Sequence, residues 1–520
     1  MNYSTAVIRI FGVLAGIVLP LLVVPWFLQS NSGGVAPLVL LLGLGTSFFA
    51  LVNPRAGLYV AAVQVIYLDY IKKLAVYFGE VSHEAIIQVL IVNMACIGFV
   101  YIGLIVRASV GKIVLQTKDY MIFGGMILLS LVAFVVSFAQ MKSVAHAGQM
   151  AVNLTIYGGL LVAIPILFKN VGELEKYIKF VLICFIPWVF LGLKQYFFGY
   201  DQMEWFYAET FLSPVASNQF FADIAMYGAP RPIGFGSGSV NYGVLGLLIP
   251  TSLWFTFNAT RQTRLRWIII SMLLCAGTVA SMQRASMLLP FIALGFYFFT
   301  KTRTRVLVGY LMGFTVIGLG IFFAEYLLAQ IEHVNALIAS ESRWGNTVLR
   351  LSTFSDRLYG WQRLTETASY SLFGRFGDGT LNDFRGGEDG YHDVVNLILD
   401  AFGIVGLALV LTASISFAVW IHRLIFSIQN ARDRSLANML IAATVPIFVS
   451  GMLGGANFHT NPFNFIMWLH IGGIYCIIKF DTANRTTDSE SALDSHAEIS
   501  LHDHGTPGAF ATRRQGLQSG

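Results

Sequence analysis

The stretch YHDVVNLILDAFGIVGLALV, residues 391–410, decides how the chain is read. Its first residues, Tyr391, His392 and Asp393, end the longest hydrophilic interval of the sequence, and from Val394 onward the run is apolar. Such a run reads as a helix entering a bilayer, because a helix satisfies its own backbone polar groups in hydrocarbon. The interval before it carries Arg343, Arg350, Arg357, Arg363, Arg375 and Arg385 and no lysine. Guanidinium groups grip diphosphate and carboxylate in a bidentate fork, whereas an ammonium is a point charge. The polar interval is therefore read as the working part and the apolar remainder as its frame.

The rest of the sequence agrees with that division. Its 520 residues are 56% hydrophobic and 12% charged, with a mean hydropathy of +0.68; a soluble domain carries roughly 25% charged residues. The composition predicts an all-α polytopic membrane protein. A net charge of +5, scattered along the chain, does not suggest a nucleic-acid partner. Cys96, Cys184, Cys275 and Cys476 all fall in apolar runs without metal-ligand spacing, so packing is their expected role. The first run, 7–28, is too long for a signal-peptide core and is read as a spanning helix.

Apolar runs fall near 7–28, 35–53, 57–79, 84–106, 120–139, 150–168, 177–198, 241–258, 266–282, 284–300, 305–327, 393–421, 436–455 and 462–480. They amount to about fourteen spans of bilayer length. Asp69, Lys72 and Lys73 interrupt the third, and Gly451, Gly454 and Gly455 leave a re-entrant alternative for the last two. Four short loops carry the basic residues Arg107, Lys112 and Lys118; Arg261, Arg264 and Arg266; Lys301, Arg303 and Arg305; and His422, Arg423, Arg432 and Arg434. Alternation puts all four on one side, which the positive-inside rule makes cytoplasmic, with both termini. The organisation expected is helices over 1–327, an outer loop at 328–392, further helices over 393–480 and a polar tail, 481–520, too poor in apolar residues to order. His496, His502 and His504 make that tail a short His-rich tract, solvated or metal-binding.

Four constellations carry the candidate chemistry. His392 heads a helix on which Asp393, Asn396 and Asp400 share a face; this is either a cap with a buried hydrogen-bond network or a proton-handling site near neutral pH. Arg284 lies in a very short outer turn, where the alternatives are snorkelling and an anionic partner. In Pro230-Arg231-Pro232-Ile233-Gly234-Phe235-Gly236-Ser237-Gly238 the prolines pin Arg231, and the glycines allow a ligand to approach closely. Trp205, Phe206, Tyr207, Phe211, Phe220 and Phe221 lie upstream, as interfacial anchors or the wall of a lipid groove. Inside the outer loop, Arg357 and Trp361 share one side of a helix capped by Ser355, and Gly377-Asp378-Gly379 follows in a turn-rich passage.

Taken in order, these pieces resemble the bacterial O-antigen ligase and O-antigen polymerase superfamily. Arg231 and Gly234 match its Arg-x-x-Gly passage, Arg284-Ala285 its Arg-small pair, and Arg357 with Trp361 its loop helix. His392, with Gly403-Ile404-Val405-Gly406 behind it, matches its His before an apolar helix. Val240-Asn241 stands where the family often has Pro-Asn, and His392-Asp393 where it often has His-Asn or His-Ser. The resemblance implies a GT-C-like inner-membrane glycosyltransferase needing no metal, cofactor or nucleotide sugar. Its donor would be a glycan on undecaprenyl diphosphate and its acceptor another lipid-linked glycan. Membrane lipids, a chain-length regulator and a flippase would be partners. His392, Arg284, Arg231 and Arg357 would be catalytic, and Asn241, Trp361, Asp393, Asn396 and Gly377 would bind substrate. Polymerase is the expectation, with the ligase that attaches polymer to lipid A core as alternative. A secondary transporter or lipid-linked sugar flippase is the rival from another class; Asp69, Lys72, Lys73 and Asp400 fit it.

Overall fold

A computed structural model describes residues 35–79, 83–113, 115–141, 152, 156–210, 231–236, 242–299, 394–454 and 462–503. Every regular element among these residues is helical. A 3-10 turn spans Ile156–Gly159, and the α-helices in order are α1 (Val35–Val52), α2 (Pro54–Gly79), α3 (His83–Ser109), α4 (Thr117–Met141), α5 (Leu160–Leu167), α6 (Val171–Cys184) and α7 (Ile186–Phe198). After them come α8 (Gln202–Thr210), α9 (Leu245–Phe257), α10 (Arg261–Ala280), α11 (Arg284–Phe299), α12 (Val394–Ser427), α13 (Ala431–Gly454) and α14 (Phe463–Asp503).

Among the described residues, four segments are long and apolar enough to cross a membrane: Val92–Ser109, Val171–Phe198, Arg261–Ala280 and Phe463–Asn484. Along α10, Leu265, Ile268, Ile269, Met272 and Val279 face outward and exposed. An apolar face of that extent suits hydrocarbon rather than water. The architecture is that of a helical membrane protein. The runs 7–28 and 305–327 lie outside the described residues, whereas α8 is a short helix that hydropathy did not single out.

Local chemistry accounts for several boundaries. The Asn170 side chain accepts the Glu173 N–H at 2.9 Å, and the Glu173 carboxylate accepts the Lys169 N–H at 2.8 Å, which satisfies donors at the start of α6. A single-residue break at Phe185 separates α6 from α7, and Pro187 sits in the first turn of α7, where its missing N–H costs nothing. Helix α2 runs unbroken through Asp69, Lys72 and Lys73. Asp69 and Lys72, three apart, pair at 3.0 Å on a face that α8 covers, so the charges do not end the helix. Likewise α13 continues through Gly451 to Gly454, and α14 runs past Asp481 to Asp503.

One core joins most of these elements, with Trp188, Trp254, Tyr177, Phe185 and Phe465 among its fully buried members, and a smaller cluster of Tyr200, Ala208 and Ile233 forms at α8. Helices α1, α2 and α3 pack together, and α5 and α14 pair beside them; α9, α10, α11 and α13 form a second group. At one end of the bundle, Arg55 meets Glu173 at 3.1 Å, Arg432 meets Glu175 at 2.7 Å, and the Gln429 N–H donates to Asp481 at 2.9 Å. Those contacts gather the short connections after α1, α5 and α12 on one face. Lys73 lies near the far end of α2, about 27 Å from Arg55 along an ideal helix axis.

Candidate functional site

At that far end, the chain builds a seat for the passage from Arg231 to Gly236. Its base is the end of α7. Gly199 closes the helix at φ +78°, and its N–H donates to the Gln195 carbonyl. The next turn is a reciprocal cap: Asp201 accepts the Glu204 N–H at 2.9 Å, and Glu204 accepts the Asp201 N–H at 2.8 Å. Lys194 closes it, 3.1 Å from Asp201 and 2.9 Å from Glu204. This box starts α8 and brings the buried Glu204 carboxylate beside Gln195.

Gln195 then holds the passage. Its Oε1 accepts the Ile233 N–H at 2.9 Å and the Gly234 N–H at 2.8 Å. Its Nε2 donates to Glu204 and to the Gly234 carbonyl, the latter at 3.3 Å. The Trp188 indole donates to the Ile233 carbonyl at 3.4 Å, and the Tyr200 hydroxyl to the Arg231 carbonyl at 2.8 Å. The Gly236 N–H donates to the Ile233 carbonyl at 3.0 Å, closing a tight turn. Within it Gly234 takes φ +55°, in the left-handed region. A Cβ there would lie 2.0 Å from the Trp188 indole and 2.7 Å from the Tyr242 ring. The close approach expected of this glycine is thus to the protein's own aromatics.

From α2, the fully buried Lys73 donates to the Gly234 carbonyl at 3.3 Å. Lys72 pairs with Asp69, and both lysines lie over the Tyr207 ring, at 5.6 and 5.7 Å. Phe235 packs against Tyr67, Tyr70 and Trp188. Of the upstream aromatics, Tyr207 turns inward over these cations and Trp205 packs on Tyr200, while Phe206 stays exposed beside Tyr77. Phe211, Phe220 and Phe221 lie outside the described residues.

Tyr242 connects the passage to the turn that holds Arg284. Its ring fills the space left by Gly234 and Gly192, its hydroxyl donates to the Val189 carbonyl at 3.2 Å, and it abuts Gly277. The Ser281 N–H donates to the Gly277 carbonyl at 3.0 Å, and Met282 follows at φ 53°, unusual for a residue with a side chain. Ser281, Met282 and Ser286 are buried in this turn. The Ser286 carbonyl, in the first turn of α11, lies against Gly246, four residues after Tyr242. Arg284 is the first residue of α11. The passage of Arg231 and the backbone of Arg284 therefore share one end of the bundle.

Among the other candidates, Asn396 is in the first turn of α12, described by its backbone alone. His392, Asp393, Arg357, Trp361, Gly377 and Asn241 lie outside the described residues. Sequence reasoning missed Gln195, Glu204 and Lys194. The signal was present in Asp201-x-x-Glu204, a capping box after Gly199, and in two polar residues within an apolar run. Comparison with family models, with curated proteins and with solved structures gives no match.

Proposed function

We propose that the chain is a membrane glycosyltransferase. It polymerises undecaprenyl-diphosphate-linked oligosaccharide repeat units of a surface or exopolysaccharide at the extracytoplasmic face of the bacterial inner membrane. The observation that carries this reading is the seat of Arg231. A guanidinium-bearing turn is held in one shape by buried side chains of α2 and α7, at the bundle end where α11 begins with Arg284. A fixed cation at a bilayer surface suits a diphosphate headgroup.

In this reading Arg231 and Arg284 grip the donor diphosphate, and Arg357 fixes the diphosphate or the acceptor. His392 takes the proton of the acceptor hydroxyl as its oxygen attacks the anomeric carbon. The bond from that carbon to the diphosphate breaks, and the electron pair leaves with undecaprenyl diphosphate, whose charge the arginines balance. Asn241, Trp361, Gly377, Asp393 and Asn396 bind substrate in this reading, and no metal or cofactor takes part. The chain sits with both termini in the cytoplasm. His392→Ala and Arg231→Ala are expected to abolish polymer in cells while the protein remains in the membrane fraction; polymer of wild-type length in both would overturn the reading. Single repeat units left on the carrier in a deletion strain support a polymerase, whereas stranded long chains mean a ligase acting on lipid A core.

A second reading has its own observation. Lys73 and Glu204 are buried with Asp69, Lys72, Lys194 and Asp201 around them, and ionisable groups inside a membrane protein also mark transport paths. Movement of a lipid-linked sugar across proteoliposomes without glycan product would select a transporter or flippase.

A further inference from the structure

We infer that Gln195 is the positioning residue for Arg231, with Tyr200 holding the residue itself; the inference rests on the proposed role of Arg231 as an anion ligand. Several polar side chains of this end are engaged within the protein. Lys72 is matched to Asp69, and Lys194 to Asp201 and Glu204, so their charge is spent inside the protein. Lys73 is fully buried and turned to the Gly234 carbonyl. Gln195, 2% exposed, uses its carbonyl on two consecutive backbone amides and its NH2 on Gly234 and Glu204. A group so placed touches no ligand. Arg231 is partly buried with its Nε enclosed, and its carbonyl accepts the Tyr200 hydroxyl.

The turn has one available shape. Gly234 needs the left-handed region, and Trp188 and Tyr242 occupy the space on its Cβ side. The two amides that Gln195 accepts lie two and three residues beyond Arg231, so the side chain of α7 sets where the guanidinium starts. Without Gln195, two buried N–H groups lose their acceptor and the turn opens. Arg231 then samples many positions, and its ligand meets the ordering cost that the seat had removed.

The full chain in detergent micelles is titrated calorimetrically with inorganic pyrophosphate, and each variant's thermal midpoint is recorded alongside. Arg231→Ala is the reference and is expected to lose the binding seen in wild type. Gln195→Leu is expected to bind about tenfold more weakly, the equivalent of one lost hydrogen bond to a buried group. Tyr200→Phe, which keeps the ring, is expected to bind about threefold more weakly. If Arg231→Ala loses binding while folded Gln195→Leu binds like wild type, the inference is overturned and the reading of Arg231 stands. Should Gln195→Leu not fold, Tyr200→Phe decides by the same criterion. Wild-type protein that ignores pyrophosphate, or Arg231→Ala that binds it undiminished, overturns the reading of Arg231 and the inference together.

Discussion

Gly234 is the residue on which the Arg231 turn depends, and its role was only half visible beforehand. A glycine after Arg231-Pro232-Ile233 marks a turn, but nothing in the local sequence tells whether ligand or protein fills the missing side chain. Trp188 and Tyr242 fill it, 46 and 8 residues away along the chain. Gly234→Ala is expected to cost about 2–4 kcal/mol, from the left-handed backbone and the overlap with Trp188. A lowered thermal midpoint of the purified protein checks it, and an unchanged midpoint contradicts the packing described. Gln195 was invisible for a related reason: its partners Ile233 and Gly234 are 38 and 39 residues distant, and Lys73 reaches Gly234 across 161. Polarity at Gln195 sets up a further test. Gln195→Glu puts a second carboxylate beside buried Glu204 and is expected to destabilise the fold, whereas Gln195→Glu with Glu204→Gln restores a donor facing an acceptor. A double-mutant cycle in thermal unfolding should give a favourable coupling of about 1 kcal/mol or more; additivity would show that the two side chains do not meet.

At the scale of the element, hydropathy was the legible part. The runs near 84–106 and 266–282 correspond to α3 and α10, and the run at 393–421 to α12, which starts at Val394. Charge was misleading inside α2, because the period of a helix collects Asp69, Lys72 and Lys73 toward α8 rather than toward lipid. Hydropathy also missed α8, whose start is set by hydrogen bonds and not by apolar content: Asp201 and Glu204 cap it and Lys194 bridges them. Cap chemistry is equally clear in α6, where Asn170 accepts the Glu173 N–H. Asn170→Ala is expected to destabilise the protein by about 1 kcal/mol. Chemical unfolding of the purified variant measures it, and Asn170→Asp should keep most of the loss from appearing.

The whole molecule has two chemically different ends. Arg55, Glu173, Glu175 and Arg432 gather at one, and the seat of Arg231 lies at the other. In a cysteine-free background, Gln202→Cys is expected to react with a membrane-impermeant maleimide in intact cells, and Lys169→Cys only after the membrane is opened. The reverse pattern would put the proposed site on the cytoplasmic side, away from an extracytoplasmic polymer. Arg231 and the start of α11 were legible as candidates from residue type, whereas the packing of Tyr242 on Gly234 and Gly277 is a contact that no local pattern announces. The chemistry itself is tested most directly by reconstitution. Purified chain in proteoliposomes is given lipid-linked oligosaccharide repeat units alone, with glycan length and released undecaprenyl diphosphate followed together. Longer glycan is expected, with one undecaprenyl diphosphate freed per bond formed, and neither product with His392→Ala. Glycan of unchanged length, with the lipid-linked substrate crossing the bilayer instead, would contradict the proposed polymerisation.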